Sequence, residues 1–198
     1  AVPSTALTSG TMDLYRFSVS ADAKGDVSLY QVVANIATST GSAANGTTTL
    51  TNLKVYAYTN SDFTGPVSGF TDGQVVATVT SGVAANGDTE FQLSAILTIP
   101  AGVTRYFKLV ADVTGTYGTT NWSGSVSTKI SGDSAYPALA TTVRLAGAAV
   151  IDVDGNDDFI WSPNSTSTTP AFANNDWTNG FGVAGLSSGG TDSTILFR

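Results

Sequence analysis

The sequence predicts an all-β protein, an immunoglobulin-like antiparallel β-sandwich followed by an irregular aromatic C-terminal extension. Three observations carry this. Apolar residues alternate with polar ones at period two in run after run, and Gly, Pro, Asn and Asp punctuate the gaps. Ser, Thr, Val, Tyr and Phe are plentiful while Lys and Glu are scarce, a balance that suits pleated surfaces better than exposed helices. Finally, 198 residues with 41% hydrophobic content are enough for one domain with a real core.

The runs come in order. Met12 to Ser20 puts Tyr15, Phe17 and Val19 on one face. Asp26 to Ile36 aligns Val27, Leu29 and Val33 against Tyr30 and Val32. Leu50 to Tyr58 sets Leu53, Val55 and Ala57 opposite Lys54, Tyr56 and Tyr58, and Gln74 to Thr80 aligns Val75, Ala77 and Val79. Thr89 to Ile99 alternates Phe91, Leu93, Ala95 and Leu97, and Val103 to Val113 alternates Phe107, Leu109, Ala111 and Val113. Pro100-Ala101-Gly102 between these two predicts a hairpin, because Pro presets φ and Gly permits a positive one. Trp122 to Ser131, with Val126, Thr128 and Ile130 in register, is the seventh strand, the number of an immunoglobulin-like sandwich.

Beyond residue 132 the texture changes. Residues 1–132 read as the sandwich and 133–198 as an extension packed on it within the same domain. Asp133 to Thr142 is irregular, and Leu145 to Val153 reads as one more strand. Phe159, Ile160, Trp161, Phe172, Trp177 and Phe181 are too apolar for a disordered tail, so this part should cover an open edge or end of the sandwich.

Composition removes whole classes of function. With no His and no Cys, a Ser-His-Asp triad, a Cys nucleophile, a thiolate or imidazole zinc site and a haem His cannot be built. Glu90 is the single Glu, so an enzyme is the least expected class. The net charge of −7 and the scattered Lys and Arg argue against nucleic acid and anionic lipid. No apolar run is long enough for membrane insertion. The chain opens at Ala1-Val2-Pro3 without an initiator Met or a signal peptide, as a processed product or a cut piece would.

Several segments together resemble a known module: Leu14-Tyr15-Arg16-Phe17-Ser18-Val19-Ser20-Ala21-Asp22, Leu53-Lys54-Val55-Tyr56, Thr98-Ile99-Pro100-Ala101-Gly102-Val103-Thr104-Arg105-Tyr106-Phe107 and Val110-Ala111-Asp112-Val113. The sequence is similar there to the repeated β-sandwich module of large secreted surface proteins of small uncultured bacteria. Asp158-Phe159-Ile160-Trp161-Ser162 and Asp176-Trp177-Thr178-Asn179-Gly180-Phe181 look like the segment that closes many such proteins. The resemblance implies an extracellular, cell-surface or assembly-forming protein, with no catalytic residues to carry over.

Candidate site residues follow. Asp152, Asp154, Asn156 and Asp158 place oxygen ligands at alternate positions around Gly155, a pattern suited to a structural calcium though not an EF-hand loop. A solvated acidic turn explains the same residues, and a glycosidase carboxylate pair is disfavoured because adjacent loop acids repel and stay hydrated. Trp161 and Trp177, with Trp122, could stack on sugar rings, or simply anchor the extension by packing. The terminal segments, Ala1 to Thr11 and Thr191 to Arg198, are the candidates for contacts with copies of the same chain by β-augmentation, with Ile195, Leu196 and Phe197 as an apolar end that a monomer would hide. Asn45, Asn121 and Asn164 begin Asn-X-Ser/Thr acceptor patterns, and two Ser/Thr-rich stretches suit O-linked sugars. An isopeptide bond from Lys24, Lys54, Lys108 or Lys129 would require a buried Lys beside a buried carboxyl. The expectation is a non-enzymatic extracellular filament or lattice subunit. A calcium-dependent adhesin or carbohydrate-binding module is the alternative, and a viral capsid or decoration protein shares the same assembly physics.

Overall fold

The computed structural model describes residues 1–40, 48–79, 86–115, 124–137, 145–147, 156–165, 170–174 and 176–197. The described residues form eight strands: β1 (Gly10–Ser20), β2 (Val27–Thr40), β3 (Thr48–Tyr58), β4 (Asn86–Ile99), β5 (Thr104–Gly115), β6 (Gly124–Ile130), β7 (Phe159–Ser162) and β8 (Thr194–Phe197). Two antiparallel sheets pack face to face, one ordered β1-β5-β3 and the other β4-β2-β6-β8. The protein is thus an all-β sandwich. Its core is filled from both sheets by Phe91, Phe107, Leu14, Leu29, Leu53 and Leu109, all buried.

The short turn after β4 does not make a hairpin. Val103 N–H donates to Pro100 C=O at 3.0 Å and Gly102 has φ of +71°, so the tight turn forms as its residues require. Yet β4 pairs with β2, and β5 pairs with β1 and β3, so the turn carries the chain from one sheet to the other. Phe91, Leu93 and Leu97 of β4 and Phe107, Leu109, Ala111 and Val113 of β5 enter the same core from opposite sides. Period-two alternation is identical for a hairpin and for such an arch.

The faces of β2 also depart from simple alternation. Register slips between Leu29 and Gln31, so Leu29, Val32, Ala34 and Ile36 face the core while Tyr30 and Val33 do not. On β4 the same irregularity leaves Ala95 exposed. There Leu93 bridges to Val76 and Ser94 N–H donates to Val75 C=O. The Gln74 to Val79 segment is therefore a lacing rather than a full strand. It bridges to β3 at Tyr56 and Leu53 and closes that side of the sandwich.

The C-terminal part completes the larger sheet. β6 takes the edge of β2 from Ala34 to Thr40, and β7 takes the same edge from Ser28 to Val32. β8 adds outside β6, and Thr178 bridges to Trp161 outside β7. The N-terminal segment then lies parallel to β8, with Ala6 paired to Phe197. Of the expected strand from Leu145 to Val153, residues 148–153 lie outside the described residues, and Leu145 and Ala146 are buried bends. Among the described residues no helix is long and apolar enough to cross a membrane.

Candidate functional site

Three features gather around β7. The first is a polar knot that fixes the extension. Asp133, only 3% exposed, accepts backbone N–H groups from Asp158 (2.9 Å), Phe159 (3.3 Å) and Gly180 (2.7 Å). Gly180 is needed there, since a Cβ would lie 2.9 Å from both Asp133 Oδ2 and Phe159 Cβ. Asn179, also buried, donates from Nδ2 to the carbonyls of Ala135 and Asn156, both at 2.7 Å. Asn156 Oδ1 accepts from Ser134 N–H, Ser134 Oγ and Ala135 N–H. These three side chains tie residues 133–135, 156–159 and 179–181 into one unit. Composition shows no trace of the pairing, because each partner lies far off in sequence.

The second feature is an acidic groove on the outer face of the larger sheet, a cavity of about 440 Å³ with Asp88, Glu90, Asp157 and Asp158 around it. Gln31 and Gln92 brace it: Gln31 Nε2 donates to Asp157 C=O (2.7 Å), and Gln92 Nε2 donates to Gln31 Oε1 (3.1 Å) and Glu90 Oε1 (2.6 Å). Burial, and then the carboxylates of Asp133, Asp88 and Asp157, push Asp158 up to about 7. Asp158 is therefore a half-buried, crowded acid and not a freely hydrated one. Below about pH 7 the proton it holds spares this face one more negative charge.

Of the four residues read as calcium ligands, Asp152 and Asp154 lie outside the described residues. Asn156 spends its side-chain oxygen on the 134–135 turn, and Asp158 faces the groove. Among the described residues no three acidic side chains are grouped to hold a metal ion.

The third feature is an aromatic cleft of about 480 Å³ at the end of the sandwich, between the end of β1, the start of β2, β7 and residues 178–184. Leu29, Phe159 and Trp161 wall it, and Tyr136 and Phe181 stand at its rim with rings 4.7 Å apart in edge-to-face contact. Tyr136 is 68% exposed and Phe181 38%. Trp161 Nε1 donates to Asn179 C=O at 2.8 Å, which ties the cleft wall to the polar knot. Ser28 lines the cleft too, and its buried hydroxyl has no partner among the described residues.

The two tryptophans do not share this cleft. Trp177 is 2% exposed, in a second cluster with Tyr30, Leu145, Ala146 and Ile160, and its Nε1 donates to Ala171 C=O at 3.2 Å. Trp122 lies outside the described residues, as do Asn45 and Asn121. Asn164 is described, with φ of +51° and Nδ2 donating to Asp26 C=O. None of the four lysines read for an isopeptide bond is buried. Lys108 lies over the Tyr56 and Tyr58 rings and Lys129 donates to Gly189 C=O, so the buried Lys–carboxyl pair does not form among them.

Of the terminal residues, Leu196 is fully buried in the core, whereas Ile195 and Phe197 are 52% and 59% exposed. Leu7, 2% exposed, enters the same core from the N-terminal side. Both ends of the described chain are thus folded onto their own sandwich.

Comparison with protein-family models, with curated proteins and with solved structures returns no match. The class defined by the fold is that of a two-sheet antiparallel β-sandwich whose extension is tied into the larger sheet.

Proposed function

We propose that this chain is a non-enzymatic extracellular structural protein that assembles with copies of itself, a filament or lattice subunit of a cell surface. The observation that supports this reading is the contrast among its sheet edges. Isolated edges invite pairing with another chain, and proteins guard them with charge, bulges or cover. β1 carries Asp13, Arg16 and a bulge at Leu14, β4 carries Asp88 and Glu90, and β3 is covered by the 66–79 lacing. Among the described residues the edge made by β8 and the N-terminal segment has no such guard. From Ala1 to Gly10 and from Thr194 to Phe197 there is no charged side chain, and Ile195 and Phe197 stand out beside it. The resemblance to surface modules points the same way.

The net charge of −7 makes copies repel. Screening shortens that repulsion to about 3 Å at 1 M salt. Electron microscopy and sedimentation across a salt series test the proposal. Ordered filaments or sheets that increase with salt support it, and monomers at every salt concentration refute it.

The aromatic cleft favours a second reading, an adhesin or carbohydrate-binding module. An exposed Tyr136–Phe181 pair above Trp161 offers ring faces of the kind sugars stack on. Glycan-array binding abolished by Trp161→Ala would support it, and an empty array would set it aside.

A further inference from the structure

We infer that the N-terminal arm, Ala1 to Ser9, is an exchangeable strand: it leaves its own β8 and pairs with β8 of a neighbouring copy. This rests on the assembly reading and supplies its contact.

The arm is lightly held. Two backbone bonds join it to β8, Leu7 N–H to Phe197 C=O and Phe197 N–H to Thr5 C=O, both 2.9 Å. Only Leu7 is buried, Val2 packs partly against the core, and Ala1, Pro3 to Ala6, Thr8 and Ser9 are exposed. Toward β1, Thr8 N–H and Oγ1 reach the weak acceptor Met12 Sδ at 3.3 and 3.6 Å, and a long bond runs from Arg16 Nη1 to Ala1 C=O at 3.4 Å.

Its receptor, by contrast, is specific. If the arm departs, the Leu7 slot opens beside Leu196, and the N–H and C=O of Phe197 lose their partners. The arm of another copy restores each of these contacts unchanged, which is why strand exchange costs little once a hinge exists. Gly10 is that hinge. It is the first residue of β1, paired with Val113, so the ladder holds it on one side; its φ is +111° and no atom lies within 4 Å of where a Cβ would be, so no packed side chain fixes the turn on the arm side. The arm carries no charged side chain, so it brings no acidic group of its own to a copy of net charge −7.

Exchange also propagates. The arm and β8 are separate segments that meet at one edge, so a copy can give its arm to one neighbour and receive another's. Such a contact is heterologous, and one that does not close grows into a filament.

The chain has no cysteine, which makes the test clean. Ala6 and Phe197 are paired across the arm, so an Ala6→Cys/Phe197→Cys variant forms a disulfide within one chain or between two. The variant is assembled, oxidised, denatured and run on a non-reducing gel. Exchange gives a ladder of covalent multimers, and oxidation before assembly locks monomers that assemble only after reduction. Cross-linked monomers recovered from assembled material overturn the exchange but leave assembly standing. Absence of any assembly in the unmodified protein overturns the assembly reading itself. Should the double variant fail to fold, Ala6→Cys and Phe197→Cys chains are mixed in equal amounts. A covalent dimer then requires exchange, and its absence from assembled material refutes it.

Discussion

Replacing Asp133 by Ala removes the acceptor of three backbone N–H groups, those of Asp158, Phe159 and Gly180. Each lost bond to a charged acceptor is worth about 1.5 kcal/mol at least, and a buried donor left bare costs about 1–3 kcal/mol. Water entering the site recovers part of this, so the loss comes to about 3–5 kcal/mol. That is a large share of the roughly 5–15 kcal/mol that stabilises an ordinary domain. At about 2–4 °C per kcal/mol for a chain of this size, Tm should fall by about 10 °C. Asp133→Asn keeps one acceptor but turns an NH2 toward backbone donors, so it should fall between wild type and Ala. Differential scanning calorimetry reads both variants. A second readout is the carboxyl titration of Asp158 by NMR in the Asn variant. Without the Asp133 charge its pKa moves down, yet stays above 3.8, because burial is the larger cause of its rise. A Tm within about 2 °C of wild type for Asp133→Ala would refute the knot as the fixture of the extension.

Three further outcomes are expected. Asp158 holds a proton in the folded state up to about pH 7 that the unfolded chain releases near 3.8. Stability should therefore decline as pH rises between those values and level off above 7, more gently than the ~1.4 kcal/mol per unit of a fully buried group. Asp158→Asn should flatten that decline in urea titrations, and an unchanged slope would show that Asp158 is not its source. Asn156→Ala should lower stability by about 1–2 kcal/mol equally in calcium and in chelator, because its oxygen closes the 134–135 turn. A loss seen only with calcium would show Asn156 acting as a ligand. Trp177→Ala should cost about 3–5 kcal/mol as a core truncation, whereas Tyr136→Ala, at an exposed rim, should stay within about 0.5 kcal/mol. Chemical denaturation checks the pair, and a Tyr136 cost matching that of Trp177 would contradict the open rim.

What the sequence determined by itself was local. Alternation at Leu53, Val55 and Ala57, or at Phe107, Leu109, Ala111 and Val113, marks strands with one buried face, and those residues line the core. Pro100-Ala101-Gly102 specifies a tight turn because its φ preferences are intrinsic to the residues. Likewise the apolar residues of the extension, Phe159, Ile160 and Trp177, announce a packed segment, and burial follows wherever it finds a surface.

Partner choice belonged to the tertiary structure. Whether the turn at Pro100 joins neighbours in one sheet or spans two depends on which strand completes each ladder, and every ladder bond is chemically alike. The slip at Leu29 to Gln31, which exchanges the faces of Val32 and Val33, is set by β4 and β7 on either side of β2. Of the acidic run, Asn156 turns to Ser134 and Asp158 to the groove. Asp133 looked like any loop acid. It became the anchor of the extension only when folding brought Phe159 and Gly180 to its carboxylate, because a hydrogen bond takes its strength from position and burial, which residue type alone does not encode.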